Sequence, residues 1–154
     1  MKISQHLNLS ELTRSDSAKR NGIDNTPTTE HLDNFKLLAE KVFEPIRLHF
    51  GVPIHISSGY RSEALNKFIK GSLSSQHCKG EAIDIDMDGS SSGVTNADIY
   101  NFIKDNLDWD QLIWEFGTDK NPDWVHVSYT KGKNRKQKLK AVRANGKTSY
   151  VNLP

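Results

Sequence analysis

In the stretch SSQHCKGEAIDID, residues 74–86, His77 stands seven places ahead of Asp84, with Gly80 between them. An imidazole and a carboxylate placed where a turn gives way to a strand can share a divalent cation. A catalytic zinc site takes three protein donors and leaves one position for water. The third donor must come from a strand able to lie beside AIDID, and DWVHVSY, residues 123–129, offers one. Strand alternation sends Val125 and Val127 to one side and Trp124, His126 and Ser128 to the other. His126 is therefore expected on the polar, site-facing side. Two histidines and one carboxylate suit a single Zn²⁺, and Mn²⁺, Fe²⁺ or Co²⁺ would also be chemically compatible. Asp84 and Asp86 share a face, so spacing does not choose between them. Singly, each residue has a plainer use. A strand histidine is more often structural, and an acid in an alternating strand is usually just its wet face. Cys78 is the only cysteine, so no internal disulfide can form, and it has no CxxC partner. His6, His31, His49 and His55 have no neighbour at a spacing that recommends them.

The rest of the chain must position these groups. Residues 9–21 read as one short helix with Ser10 as N-cap, ended by Asn21-Gly22. Leu32, Phe35, Leu38, Ala39, Val42, Phe43, Ile46 and Phe50 recur at three- and four-residue steps, the strongest helical signal in the chain. Thr28 or Thr29 can cap that helix, and Pro45 should kink it or start a new turn. A short strand is expected around Ile54–Ser57, a helix over 62–69 capped by Ser62, and a loop from Lys70 to His77. Residues 82–87 alternate apolar and acidic, the period of a strand with one buried face. A helix capped by Thr95 or Asn96 follows, then strands QLIWEF and WVHVSY. The chain closes in a hairpin turned at Asn145-Gly146. The expected class is α+β, with helices packed on one face of a central antiparallel sheet that carries the metal site.

A chain of 154 residues fits one domain. We divide it into N-terminal helices (1–50), a catalytic core (51–130) and a basic C-terminal hairpin (131–154). With 35% apolar and 26% charged residues the composition is polar but globular, and no apolar run approaches a membrane span. The N-terminal stretch lacks the apolar core of a secretory signal. The net charge of +2 conceals an asymmetry: residues 131–147 hold eight Lys/Arg and no acid, leaving 13 bases against all 19 acids in residues 1–130. Such an end can meet a polyanion, or it can be a solvated hairpin.

Residues 75–84, SQHCKGEAID, match the SxHxxGxAxD signature of the zinc D-alanyl-D-alanine carboxypeptidase-like metallopeptidases of bacteria and phages. DWVH, residues 123–126, resembles their downstream segment, and SSGYRS, residues 57–62, resembles the segment carrying their arginine. The leader LSELTRSDSAKRNGIDNTP is similar to that of a subset that includes phage proteins. The resemblance covers about residues 3–130. It implies His77, Asp84 and His126 as ligands, choosing Asp84 over Asp86. It also implies Asp123 as general base and Arg61 as the group that holds substrate or the developing oxyanion. Some branches have Glu where this chain has Asp123. The fold it implies is the hedgehog/DD-peptidase type.

Ser75, which can orient a ligand or its loop, Glu115, which can hydrogen-bond a ligand histidine, and Trp124, which can wall a groove, are secondary candidates. The resemblance implies a zinc peptidase that cuts bacterial cell-wall (peptidoglycan) peptide beside a D-amino acid, as a carboxypeptidase or an endopeptidase; a monomer is expected. Residues 131–147 would then help hold an anionic cell-wall polymer. Without a signal of its own, such an enzyme would stay cytoplasmic until released through a phage lysis pore, or leave by a separate export route. The competing readings are a noncatalytic cell-wall-binding module that kept the zinc fold, and a nucleic-acid binder using residues 131–147. The second predicts affinity that falls steeply with salt, and the basic run lacks interleaved aromatics.

Overall fold

The computed structural model describes all of residues 1–154. Its elements are β1 (Lys2–Ser4), β2 (Leu7–Asn8), α1 (Leu9–Thr13), α2 (Asp16–Asn21), α3 (Thr29–Leu38), a π-helical turn (Ala39–Phe43), α4 (Glu44–Phe50), β3 (Ile56–Ser58), α5 (Glu63–Phe68), a 3₁₀ turn (Gln76–Lys79), β4 (Ala82–Ile85), α6 (Asn96–Asn106), β5 (Gln111–Glu115), β6 (Trp124–Ser128), β7 (Gln137–Ala144) and β8 (Lys147–Asn152). No helix is long and apolar enough to cross a membrane.

The helical signals act as capping chemistry requires. Thr28, Ser62 and Thr95 each accept the backbone N–H three residues on. The single helix expected over 9–21 is two helices. Ser15 caps the second by accepting from Ala18 at 3.2 Å, and the first begins after Asn8 rather than Ser10. In the long apolar segment Phe35, Leu38, Ala39, Val42, Phe43 and Ile46 are all buried. Pro45 lacks an N–H, and its ring would strike the carbonyl one turn back. The chain widens just before it: the Glu44 N–H reaches Ala39 O, five residues behind, which is the π-turn bond.

Six strands form the main sheet in the order β3-β4-β6-β5-β7-β8. One face packs Ile83, Ile85, Leu112, Val125 and Val127 against the long helical segment and against Ile99 and Ile103 of α6. The α+β class is as expected, but the sheet is mixed: β5 and β7 run parallel. The edges explain this. β5 and β6 form an antiparallel hairpin, and the other side of β6 is already paired with β4. β7 joins at the free edge of β5, where it runs in β5's own direction. β4 also differs from the one-sided strand expected, because it is buried on both faces, Asp84 included. β3 and β6 flank it, helices cover one side, and the 3₁₀ turn lies against the other.

The crossover from β6 to β7 is tied down by Asp110, just before β5. Its carboxylate accepts from the backbone N–H, Nε and Nη2 of Arg135, at 2.7–3.2 Å, and from Gln76 Nε2 at 2.9 Å. Burial raises its pKa, but these donors outweigh that and hold it below the ordinary carboxylate value. A carboxylate depressed by folding stabilises the fold above its unfolded pKa of about 3.9, and the contribution is lost as pH falls through the lower folded value. Asp110→Asn should therefore cost about 2 kcal/mol at pH 7. That difference in melting stability from wild type should shrink once the pH drops below about 4. A difference unchanged between pH 7 and pH 3 would mean that the ionised form is not what the crossover uses.

Candidate metal centre

Asp84 and His126 are directly opposed partners in the β4–β6 ladder, both on the face turned away from the helical core. His77 comes from the 3₁₀ turn that folds over them. Its Nδ1 lies 2.7 Å from Gly59 O and donates to it, which leaves Nε2 as the free acceptor. That Nε2 is 3.3 Å from Asp84 Oδ1, and His126 Nδ1 is 3.0 Å from the same oxygen. One donor atom from each of the three residues can be chosen so that all lie within 4.8 Å of one another. Four-coordinate zinc with donors at about 2.0–2.1 Å places neighbouring donors roughly 3.3 Å apart.

The Nε2 atoms of His77 and His126 are buried and have no hydrogen-bond partner in the protein. A buried polar atom left unpaired costs about 1–3 kcal/mol. An ion shared through His77 Nε2, Asp84 Oδ1 and His126 Nδ1 satisfies the first of them and puts the proton of His126 on Nε2. Burial alone would raise the pKa of Asp84, but the two imidazoles beside it, His77 first and then His126, hold it far below the usual range. The carboxylate is thus kept in the form that binds a cation. Asp86, which alternation left as a rival, is occupied elsewhere: Asn96 Nδ2 donates to its Oδ1 at 3.1 Å. The other four histidines serve local packing, as in His6 with Glu44 and His31 with Tyr60.

Gly80 makes the turn between the first two ligands possible. Its φ is +73°, and a Cβ there would lie 2.2 Å from His31 O, a backbone atom that cannot swing aside. Gly80→Ala should cost about 3 kcal/mol, combining left-handed strain with a backbone clash. The loss should appear as a lower denaturation midpoint together with weaker metal binding, since His77 rides on that turn. An unchanged midpoint would remove this role from Gly80.

The triad sits on the floor of a cleft of about 990 Å³. Arg61, Ser75, Glu115 and Trp124 all line it. Arg61 Nη2 is 3.6 Å from Asp84 Oδ2, and Arg61 also lines a second cavity of about 420 Å³. Ser75 opens the 3₁₀ turn that carries His77. Trp124 stands beside Phe116, ring centroids 5.5 Å apart. Trp114 faces the core instead, edge-on to Tyr100.

The two acids are placed differently from each other. Asp123 is exposed, precedes β6 on the opposite parity from His126, and does not line the cleft. Its backbone is fixed, its N–H donating to Glu115 O and its carbonyl accepting from Asn96. Glu115 is buried within the cleft lining, and its carboxylate has no hydrogen-bond partner in the protein. Its pKa is pushed up to about 7, first by burial and then by the charge of Asp84, against smaller opposing effects of His126 and Arg61. Sequence reading also missed Asn96 as more than a cap. Fully buried, it joins the end of β4 to the approach to β6 by accepting from Met87 N–H and donating to Pro122 O and Asp123 O. No sequence signal separates it from an ordinary first-turn asparagine.

Three converging donors, two on the sheet and one on the turn folded over it, open to a cleft, are the arrangement of a metal-dependent hydrolase. The family model described as Peptidase M15 matches residues 5–128. The chain belongs to this family, the zinc D-alanyl-D-alanine carboxypeptidase-like metallopeptidases. No curated protein matches the sequence.

Proposed function

We propose that this metallopeptidase uses one zinc ion to hydrolyse peptide bonds of bacterial cell wall, next to a D-amino acid. The observation that carries the reading is the convergence of His77, Asp84 and His126 on one buried point in the floor of an open cleft. The family and the SxHxxGxAxD element support that substrate class. When bound, zinc supplies Lewis acidity that lowers the pKa of a coordinated water to about 7.

The protein's own groups do the rest. Glu115 accepts a proton as water adds to the carbonyl carbon, and it passes that proton to the amine nitrogen when the C–N bond breaks. The family resemblance assigns this role to Asp123. We favour Glu115 because its carboxylate lines the cleft that Asp123 does not enter. Arg61, beside Asp84, neutralises charge that develops on the carbonyl oxygen. Trp124 supplies an apolar wall. A phage or bacterial lysis enzyme is the natural setting for that chemistry.

The deciding experiment digests purified peptidoglycan with the zinc-loaded protein and weighs the products. Internal cleavage of the peptide supports the endopeptidase form, and release of a single terminal amino acid supports the carboxypeptidase form. Retention on the wall with no product at all would leave only the noncatalytic binding module.

A further inference from the structure

The stretch matching the family ends at residue 128, yet the cleft continues past it. Of the 23 residues lining the cleft, seven lie in residues 131–154, so the C-terminal hairpin is a wall of the site rather than an appendage. The register shows how. His126 pairs with Ile113, Ile113 with Leu139, and Leu139 with Asn152, making one row across four strands. The next row runs from Trp124 through Glu115 and Ala141 to Tyr150. A cleft floor that begins at the metal donors therefore ends on β8.

Charge is divided along this floor. The two acids of the lining, Asp84 and Glu115, belong to the triad and its immediate surroundings. The cations include Arg61 beside Asp84, and Arg135, which is committed to Asp110. Arg143 and the two lysines Lys70 and Lys79 also line the cleft, and none of the three has a carboxylate partner. Arg143 lies with its guanidinium over the Phe116 ring, 4.7 Å from the centroid, so it is held toward β5. A guanidinium held on an aromatic face keeps its N–H edge free for a planar anion. Tyr150 on β8 lines the cleft while its side chain stays largely exposed, and its pKa is raised by partial desolvation first and then by the charges of Glu115 and Asp84.

We propose that the β7–β8 hairpin is a recognition wall for an acidic peptide, with Arg143 binding a free carboxylate of the substrate and Tyr150 donating beside it. This rests on reading the same cleft as a peptidase site. By standard spacings Arg143 is roughly 16 Å from His126 between Cα atoms, two strands across and four residues along. The reach of the arginine side chain shortens that gap. The recognised carboxylate then lies about two or three residues of extended chain, at roughly 3.3 Å each, from the bond that is cut. The basic character of residues 131–147 thus has a use inside the site, distinct from holding a polymer.

The test measures binding separately from turnover. The probes are a peptide fragment released from bacterial peptidoglycan and the same fragment with its carboxylates amidated. Their Kd values are read by calorimetry on the zinc-loaded full chain carrying Glu115→Gln, with and without Arg143→Ala, Arg143→Lys or Tyr150→Phe. Arg143→Ala should weaken binding of the acidic fragment by about 10- to 100-fold, the range for losing a charge-assisted hydrogen bond, and leave the amidated fragment unchanged. Arg143→Lys should recover part of the loss, and Tyr150→Phe should cost several-fold. Equal Kd values for the two fragments, or an Arg143→Ala protein that binds the acidic one as well as its parent does, overturn the wall. If wild type hydrolyses peptidoglycan while amidation makes no difference to binding, the wall falls and the peptidase stands. If discrimination persists but wild type cleaves nothing, the peptidase reading falls and the wall stands.

Discussion

Glu115→Gln is expected to lower kcat/KM on peptidoglycan peptide by about 10²–10⁴, the range for losing a positioned general base. Asp123→Asn should stay within about twofold of wild type, the ordinary result for an exposed side chain away from the chemistry. Glutamine keeps the shape of the side chain and removes only its capacity to take a proton. A second readout separates catalysis from structure. Folding raises the pKa of Glu115 from 4.5 to about 7, so burying its charged form opposes folding. For an acid shifted upward, the penalty is absent below pH 4.5 and grows until the pH passes the folded value. The metal-free Glu115→Gln protein should therefore be more stable than metal-free wild type at pH 8, by about 3 kcal/mol, and equal to it near pH 4. Loss of activity with gain of stability marks a functional acid. A variant that loses both would make Glu115 a structural residue, and an inactive Asp123→Asn would return the base to the position the family resemblance names.

Removing the metal should abolish hydrolysis, and restoring one equivalent of zinc should recover it. The structural consequence is separable from activity. An ion bound only by the folded chain stabilises it by about 2.7 kcal/mol at a free concentration one hundred times Kd. For a chain of this size that corresponds to a melting shift of roughly 5–10 °C. Asp84→Asn should abolish the shift, because it removes the oxygen that both imidazoles approach, at 3.3 and 3.0 Å. His126→Ala should do the same. Calorimetry should count one ion per wild-type chain and none in either variant. A wild-type protein whose melting point ignores zinc would dismantle the metal centre, and the peptidase assignment with it.

The two histidines were legible because each belongs to a local pattern, whereas alternation left Asp84 and Asp86 equivalent and only the family resemblance chose between them. His77 and Gly80 lie in one turn, Asp84 falls in a short alternating strand, and His126 alternates with two valines. Such patterns depend on backbone geometry within a few residues, where sequence and structure are directly coupled. The same holds for the caps at Thr28, Ser62 and Thr95 and for the turn at Asn145-Gly146. The split of residues 9–21 into two helices was missed because Ser15 follows a serviceable helical stretch and its capping role depends on where the chain turns. Parity within β6 already separates Asp123 from His126, but how deeply each acid lies is a property of the folded surface. Only the assembled sheet buries Glu115 in the cleft and leaves Asp123 outside it.

By itself, then, the sequence determined the α+β class, the positions of most elements, and two histidines with a pair of neighbouring aspartates able to hold a cation. Tertiary structure alone decided that β7 joins β5 in parallel, that Asp110 clamps the crossover, and that the basic hairpin walls the cleft. The reason lies in the range of the interactions. Caps, turns and alternation are set by neighbours along the chain, whereas strand order depends on which sheet edge remains unpaired, and the burial of a carboxylate depends on segments far away in sequence.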